Sequence, residues 1–231
     1  MDSSYKQEYD RVISLGMDCR PKVIMDITGL SGKRTALDVI GTQKLERLIH
    51  VLSNRFSDIF LEENLREQTN SDAEFRRIRD IHTDYISIHD FSPNAESISS
   101  EYPAFKIRFD KHVDTFFHDI QHYRRVLFIL NLEMAPTERD YTDDLDTLKT
   151  KLPVLRCLLD TLCNNKNNQL LVATYHKTLL SLKIPRTHIV LKHREWKEFM
   201  RGAELEAWQG WLDGITIAEA SRTYRPVCSQ F

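Results

Sequence analysis

Residues 125–133 read RVLFILNLE, and Val126 to Leu130 form an unbroken apolar run. A strand with one wet face alternates apolar and polar residues. An unbroken run reads as a strand covered on both faces, the habit of parallel sheets flanked by helices. The flanks agree. Upstream, residues 104–124 place Phe109, Val113, Phe116, Phe117 and Ile120 at helical spacing. Downstream, residues 141–165 predict a helix interrupted or restarted at Pro153.

Moving outward, LLVATYHK (170–177) and HIVLKH (188–193) predict two further strands. YDRVISL (9–15) and YISIHDF (85–91) predict two more. Helices are expected over 19–30, over 42–56 with Thr42 as N-cap, and over 196–215 with Trp196, Trp208 and Trp211 as anchors. This alternation predicts one α/β domain spanning 1–231, a mainly parallel sheet flanked by helices. Residues 1–8 read as a polar tail and 64–84 as a charged, exposed insertion.

Composition limits the function classes. The 231 residues are 41% hydrophobic and carry a net charge of −2. That is enough apolar surface for a core and too little positive charge for a general nucleic-acid binder. No apolar run reaches the roughly 18–20 residues a membrane helix needs. The polar start, MDSSYKQEYD, has no signal-peptide core, so a cytoplasmic location is expected, with signal-less secretion as an effector as the alternative. Cys157 and Cys163 are six apart on an expected helix and face about 120° from each other. No cysteine has a CxxC partner, so no metal site and no cofactor are expected.

The chemistry concentrates in DRVISLGMDCR (10–20). A strand ending at Gly16 and turning into a helix puts Cys19 at the carboxyl edge of the sheet, where open α/β sheets bind ligands. A helix N-terminus there stabilises a negative sulfur and can hold a developing oxyanion. Ser14, Gly16, Asp18 and Arg20 are the substrate-binding candidates around it. The alternative for Cys19 is a small buried core residue. A thiol nucleophile needs a base, and His89, ending the strand 85–91, could face the same edge. Asp38 or Asp90 could orient it. His176 and His193, each near a strand end, are reserve bases. His118 and His122 share a helix face at i,i+4 but lack the HExxH context of a zinc site. The basic pairs Lys33–Arg34, Arg76–Arg77 and Arg124–Arg125 read as solvated surface.

The segments YDRVISLGMDC (9–19), ALDVI (36–40), FSDIF (56–60) and YISIHDF (85–91) resemble a bacterial family of unknown function described as papain-like cysteine peptidases. Its members open on a strand running into SLGxxC. A PFDW-like segment follows, then an F-x-D-x-F-like piece, then a histidine ending a strand. Here Ser14, Leu15, Gly16 and Cys19 carry SLGxxC. ALDV keeps Asp38 without the Pro, Phe and Trp, and His89 takes the histidine position. The resemblance covers roughly residues 9–133 and implies a Cys–His mechanism through a thioester, ending in hydrolysis or acyl transfer. The substrate would be a peptide, acyl compound or other small molecule. Two alternatives stand beside it. One is a non-catalytic module holding a phosphorylated or sugar ligand over the Cys19 helix. The other is a bacterial effector that docks on a protein partner through 64–84 and the Trp-rich end.

Overall fold

The computed structural model describes residues 4–42, 44–68, 76–132, 143–164, 167–192 and 202–219. Its centre is a four-stranded sheet of β2 (Arg11–Ser14), β7 (Val126–Asn131), β8 (Gln169–Thr174) and β9 (Thr187–Leu191), in that order and parallel throughout. The apolar run that predicted a doubly covered strand is β7, buried along its whole length.

The two faces of this sheet feed two separate cores, as a side-chain period of two requires. Ile13, Val126, Phe128, Leu130, Leu170 and Val172 point to one side. There they pack with α2 (Leu45–Ser53), α3 (Ile98–His122) and α4 (Leu145–Leu162). Val12, Leu127, Ile129, Leu171 and Ala173 point to the other. They meet Ile24 and Met25 of α1 (Arg20–Ile27) and Trp208, Trp211 and Leu212 of α5 (Gly202–Leu212). The expected α/β class and parallel sheet are therefore present.

Several expectations change in detail. The strand read over 85–91 is only β6 (Ile86–Ser87), and it does not join the parallel sheet. It sits in a second, antiparallel sheet ordered β3 (Ile40–Gly41), β6, β5 (Ile78–Asp80), β4 (Leu65–Glu67). The alternation in YISIHDF suggested a longer strand. The Ser87 hydroxyl instead donates to Asp90 at 2.6 Å and bends the chain away.

Residues 64–84 are not simply an exposed insertion, because Leu65, Ile78, Asp80 and Thr83 are buried where β4 and β5 complete that sheet. Nor do residues 4–8 trail off. Tyr5 is 4% exposed, its hydroxyl donates to the Trp211 carbonyl, and β1 (Glu8–Tyr9) pairs in parallel with β10 (Thr216–Ile217). Thr42 does not cap α2. The Leu45 N–H donates to Asp143 Oδ2 at 2.5 Å, a cap supplied from nearly a hundred residues away. Trp196 lies outside the described residues.

One buried ion pair joins β2 to α3, the longest of the described helices. Arg11 Nε donates to Asp119 Oδ2 at 2.5 Å, with both side chains under one-tenth exposed, and Arg11 also donates to the Lys33 carbonyl. Removing one partner leaves the other charge buried and unpaired. Asp119→Ala is expected to cost about 3 kcal/mol in urea unfolding, and Arg11→Met with Asp119→Leu to recover most of it. A single-mutant cost below about 0.5 kcal/mol would show that the pair is not what holds α3 to β2.

Candidate active site at the carboxyl edge of the parallel sheet

β2 ends at Ser14, and the chain then turns sharply. The Ser14 hydroxyl accepts the Gly16 N–H at 3.1 Å. Gly16 and Met17 both take left-handed backbone conformations, φ 75° and 69°. For buried Met17 this is strained geometry of the kind that clusters at functional turns. A Cβ on Gly16 would lie 3.1 Å from the Leu37 carbonyl oxygen, and one on Gly41 would lie 3.2 Å from that of Met17. Both glycines are needed so that β3 and the 3₁₀ turn Ala36–Asp38 can press backbone to backbone on this turn.

α1 begins immediately afterwards, with Cys19 as its N-cap and Pro21 in the first turn, where a missing N–H costs nothing. Asp18 organises the start. Its Oδ1 accepts the Arg20 N–H at 3.0 Å, and Arg20 also donates to its Oδ2 through the guanidinium. The Asn131 amide, at the end of β7, donates to both Asp18 oxygens at 3.1 and 3.0 Å. On its other side the Asn131 Oδ1 accepts Lys192 Nζ at 3.0 Å, and Lys192 donates to the Leu132 carbonyl as well. Lys192 Nζ stands 4.2 Å from the Tyr175 ring centroid. Arg20 Nε reaches Glu204 Oε1 of α5 at 3.1 Å.

The ends of β2, β7, β8 and β9 thus meet in one network. Asp18, Asn131, Lys192 and Glu204 are 6, 1, 5 and 3% exposed. Two anions and two cations balance, which is the condition under which such groups can be buried at all.

The candidate residues divide accordingly. Cys19, Asp18 and Arg20 stand together at this edge. Ser14 and Gly16 shape the turn beneath. Asp38 is buried and faces elsewhere: Oδ2 accepts the Thr35 N–H at 2.7 Å and the Thr35 hydroxyl at 3.3 Å. Burial pushes its carboxyl up, against the pull of Lys22, Thr35 and Arg11.

His89 and Asp90 lie after β6, on the antiparallel sheet, in an open cleft of about 420 Å³ lined by residues 88–93 and Glu101. The His89 imidazole is held below its ordinary value by desolvation and by Arg34 and Arg77, while Asp90 opposes them. The charges that act on Cys19 are Asp18 and Arg20. His176 follows β8, whose end belongs to the Cys19 edge. His193 lies outside the described residues.

Asn131, Lys192, Tyr175 and Glu204 were not among the residues singled out from the sequence. The signal was there for two of them: Asn131 is the first polar residue after VLFIL, and Lys192 closes HIVLK. A polar side chain ending a fully buried parallel strand points at the edge where ligands bind.

The Cys19 thiol is pushed up by burial and by the neighbouring Asp18 charge, with Arg20 and its own backbone N–H pulling the other way. Iodoacetamide labelling of the Cys19 peptide, followed by mass spectrometry, is expected to rise with a midpoint above the ordinary thiol value of about 8.5. An anion beside a thiol disfavours the thiolate, so Asp18→Asn should lower that midpoint. An unshifted or raised midpoint in Asp18→Asn would contradict this electrostatic reading.

Among the described residues no helix is long and apolar enough to cross a membrane. No curated protein and no solved structure matches the chain. Residues 10–160, about two thirds of its length and ending within α4, match a family. On that match the chain belongs to the family described as "Putative papain-like cysteine peptidase (DUF1796)".

Proposed function

We propose that the protein is a cysteine hydrolase that cleaves an amide bond of a peptide-like substrate at the carboxyl edge of its parallel sheet. Cys19 is the nucleophile. The observation that carries this reading is the placement of that thiol at the N-cap of α1, directly after a doubly left-handed turn and beside a buried polar network. Membership of a family described as cysteine peptidases supports the same reaction class.

In this reading Cys19 Sγ attacks the substrate carbonyl carbon as its proton passes to a base. The oxyanion forms against the Cys19 N–H and the positive end of α1. The C–N bond then breaks, and the amine leaves with the proton returned by the base. Water hydrolyses the thioester, releasing the acid and restoring the thiol. An amine or alcohol in place of that water would give acyl transfer. Because burial and Asp18 push the thiol up, activation relies on proton transfer at the moment of attack rather than on a stored thiolate.

We assign the base to His176, which follows β8 at the same sheet edge, in preference to His89. β8 shares the parallel sheet with β2, whereas His89 sits beyond β6 on the other sheet. Asp18, Asn131 and Lys192 fix the turn and present a hydrogen-bonding floor to the substrate. The raised Cys19 thiol also favours a second reading, a non-catalytic module whose anionic ligand rests on this edge.

Incubation with a mixed-peptide library, read by mass spectrometry of the products, separates them. Cys19→Ser is expected to lower turnover on the order of 10⁴-fold with the unfolding midpoint unchanged. His176→Ala should lower it by about 10²-fold or more, and His89→Ala by far less. Peptide cleavage that survives Cys19→Ser would overturn the nucleophile. Loss confined to His89→Ala would return the base to that residue. A protein that binds peptides without cleaving them would favour the second reading.

A further inference from the structure

A second cluster of chemically able side chains lies away from Cys19. His50 sits in the last turn of α2, Asp58 in the loop that follows, and His82 in the turn between β5 and β6. His50 Nε2 stands 2.6 Å from Asp58 Oδ2, and His82 Nε2 stands 3.8 Å from the same oxygen. One ligand atom from each residue falls within 4.8 Å of the others. Asn54 Nδ2 adds a contact to Asp58 Oδ2 at 3.0 Å and to His50 Nε2 at 3.3 Å.

The second Asp58 oxygen, Oδ1, is shut off from solvent and has no hydrogen-bond partner among the described residues. A shielded carboxylate oxygen without a donor is costly unless a positive charge is close by.

The backbone around the cluster is held rigidly. Asp80 is fully buried and accepts the Phe60 N–H at 2.5 Å, the His82 N–H at 2.8 Å and the Thr83 N–H at 3.1 Å. One carboxylate therefore clamps the loop carrying Asp58 to the turn carrying His82. Such support orders metal ligands before the metal arrives. Asp58 is also the central residue of FSDIF, a segment that the Cys19 chemistry leaves unused.

We propose that His50, Asp58 and His82 form a binding site for a zinc-class divalent cation, with one imidazole nitrogen from each histidine and one carboxylate oxygen. Two imidazoles and a carboxylate suit zinc, whereas magnesium and calcium prefer all-oxygen shells. Zinc–ligand bonds of about 2.0–2.2 Å in a tetrahedron put donor atoms about 3.3 Å apart. The 2.6 and 3.8 Å separations bracket that value, so binding requires the His50–Asp58 pair to open slightly and the exposed His82 ring to close in. The cation takes the place of the proton between His50 and Asp58, and the fourth position is open to water. The other histidine pair does not offer this. The His118 and His122 rings stack at 4.2 Å, and His122 Nδ1 is spent on the His118 carbonyl at 2.8 Å.

The test is zinc titration by calorimetry on the full chain at neutral pH, with thiols blocked by iodoacetamide, and zinc X-ray absorption on the loaded protein. One equivalent of zinc should bind through a nitrogen and oxygen shell containing two imidazoles. His82→Ala, which alters a ring more than half exposed, should weaken binding about tenfold or more while leaving the unfolding midpoint of the zinc-free protein unchanged. His118→Ala with His122→Ala should bind as the unmodified protein does. No uptake overturns the proposal. So does wild-type affinity in both His82→Ala and Asp58→Asn, loss of binding in the His118/His122 variant, or displacement of zinc by equimolar magnesium.

Discussion

The Asp18 carboxylate is the constraint on which the rest of the site depends. It is buried in the turn between β2 and α1, where an unpaired anion could not stay. Its partners come from different parts of the chain: the Arg20 backbone and guanidinium from α1, and the Asn131 amide from β7. Asn131 relays the contact to Lys192 after β9, and Arg20 relays it to Glu204 on α5. One carboxylate therefore requires the sheet, the first helix and the last described helix to be assembled together. Cys19, the next residue in the chain, is carried to the sheet edge as a consequence.

The same turn ties the two sheets. Gly16 lets the Leu37 carbonyl approach, and Gly41 lets β3 reach the Met17 carbonyl. The antiparallel sheet is thereby pressed against the strand–helix junction. The strain of two successive left-handed residues is borne where the thiol is presented. On the far side of the antiparallel sheet, Asp80 performs a comparable service for the loops that bear Asp58 and His82. Buried carboxylates that accept backbone N–H groups position the chemistry at both places.

Much of this was legible in the sequence, for physical reasons that can be named. The run VLFIL announced a strand covered on both faces, and β7 is that strand. Gly16, Cys19 and Pro21 announced a strand–turn–helix junction, and that junction is present. Short antiparallel strands were not legible. β3, β4, β5 and β6 have two or three residues each, too few for a period-two pattern to rise above chance. YISIHDF alternates as a strand would, and nothing in it reveals that its strand joins the antiparallel sheet rather than the parallel one. Asn131 and Lys192 are marked by their places at the ends of buried strands, but their contact with each other, and that of Arg20 with Glu204, depends on strand order and joins residues more than sixty positions apart.

The central claim is that Asp18 and Asn131 act as one unit in holding the Cys19 edge. A double-mutant cycle in urea unfolding, using Asp18→Ala, Asn131→Ala and the pair, tests this most directly. Two buried hydrogen bonds to a charged group predict a coupling of about 1–3 kcal/mol, with the double variant little worse than the poorer single one. Additivity of the two losses within about 0.3 kcal/mol would contradict the account.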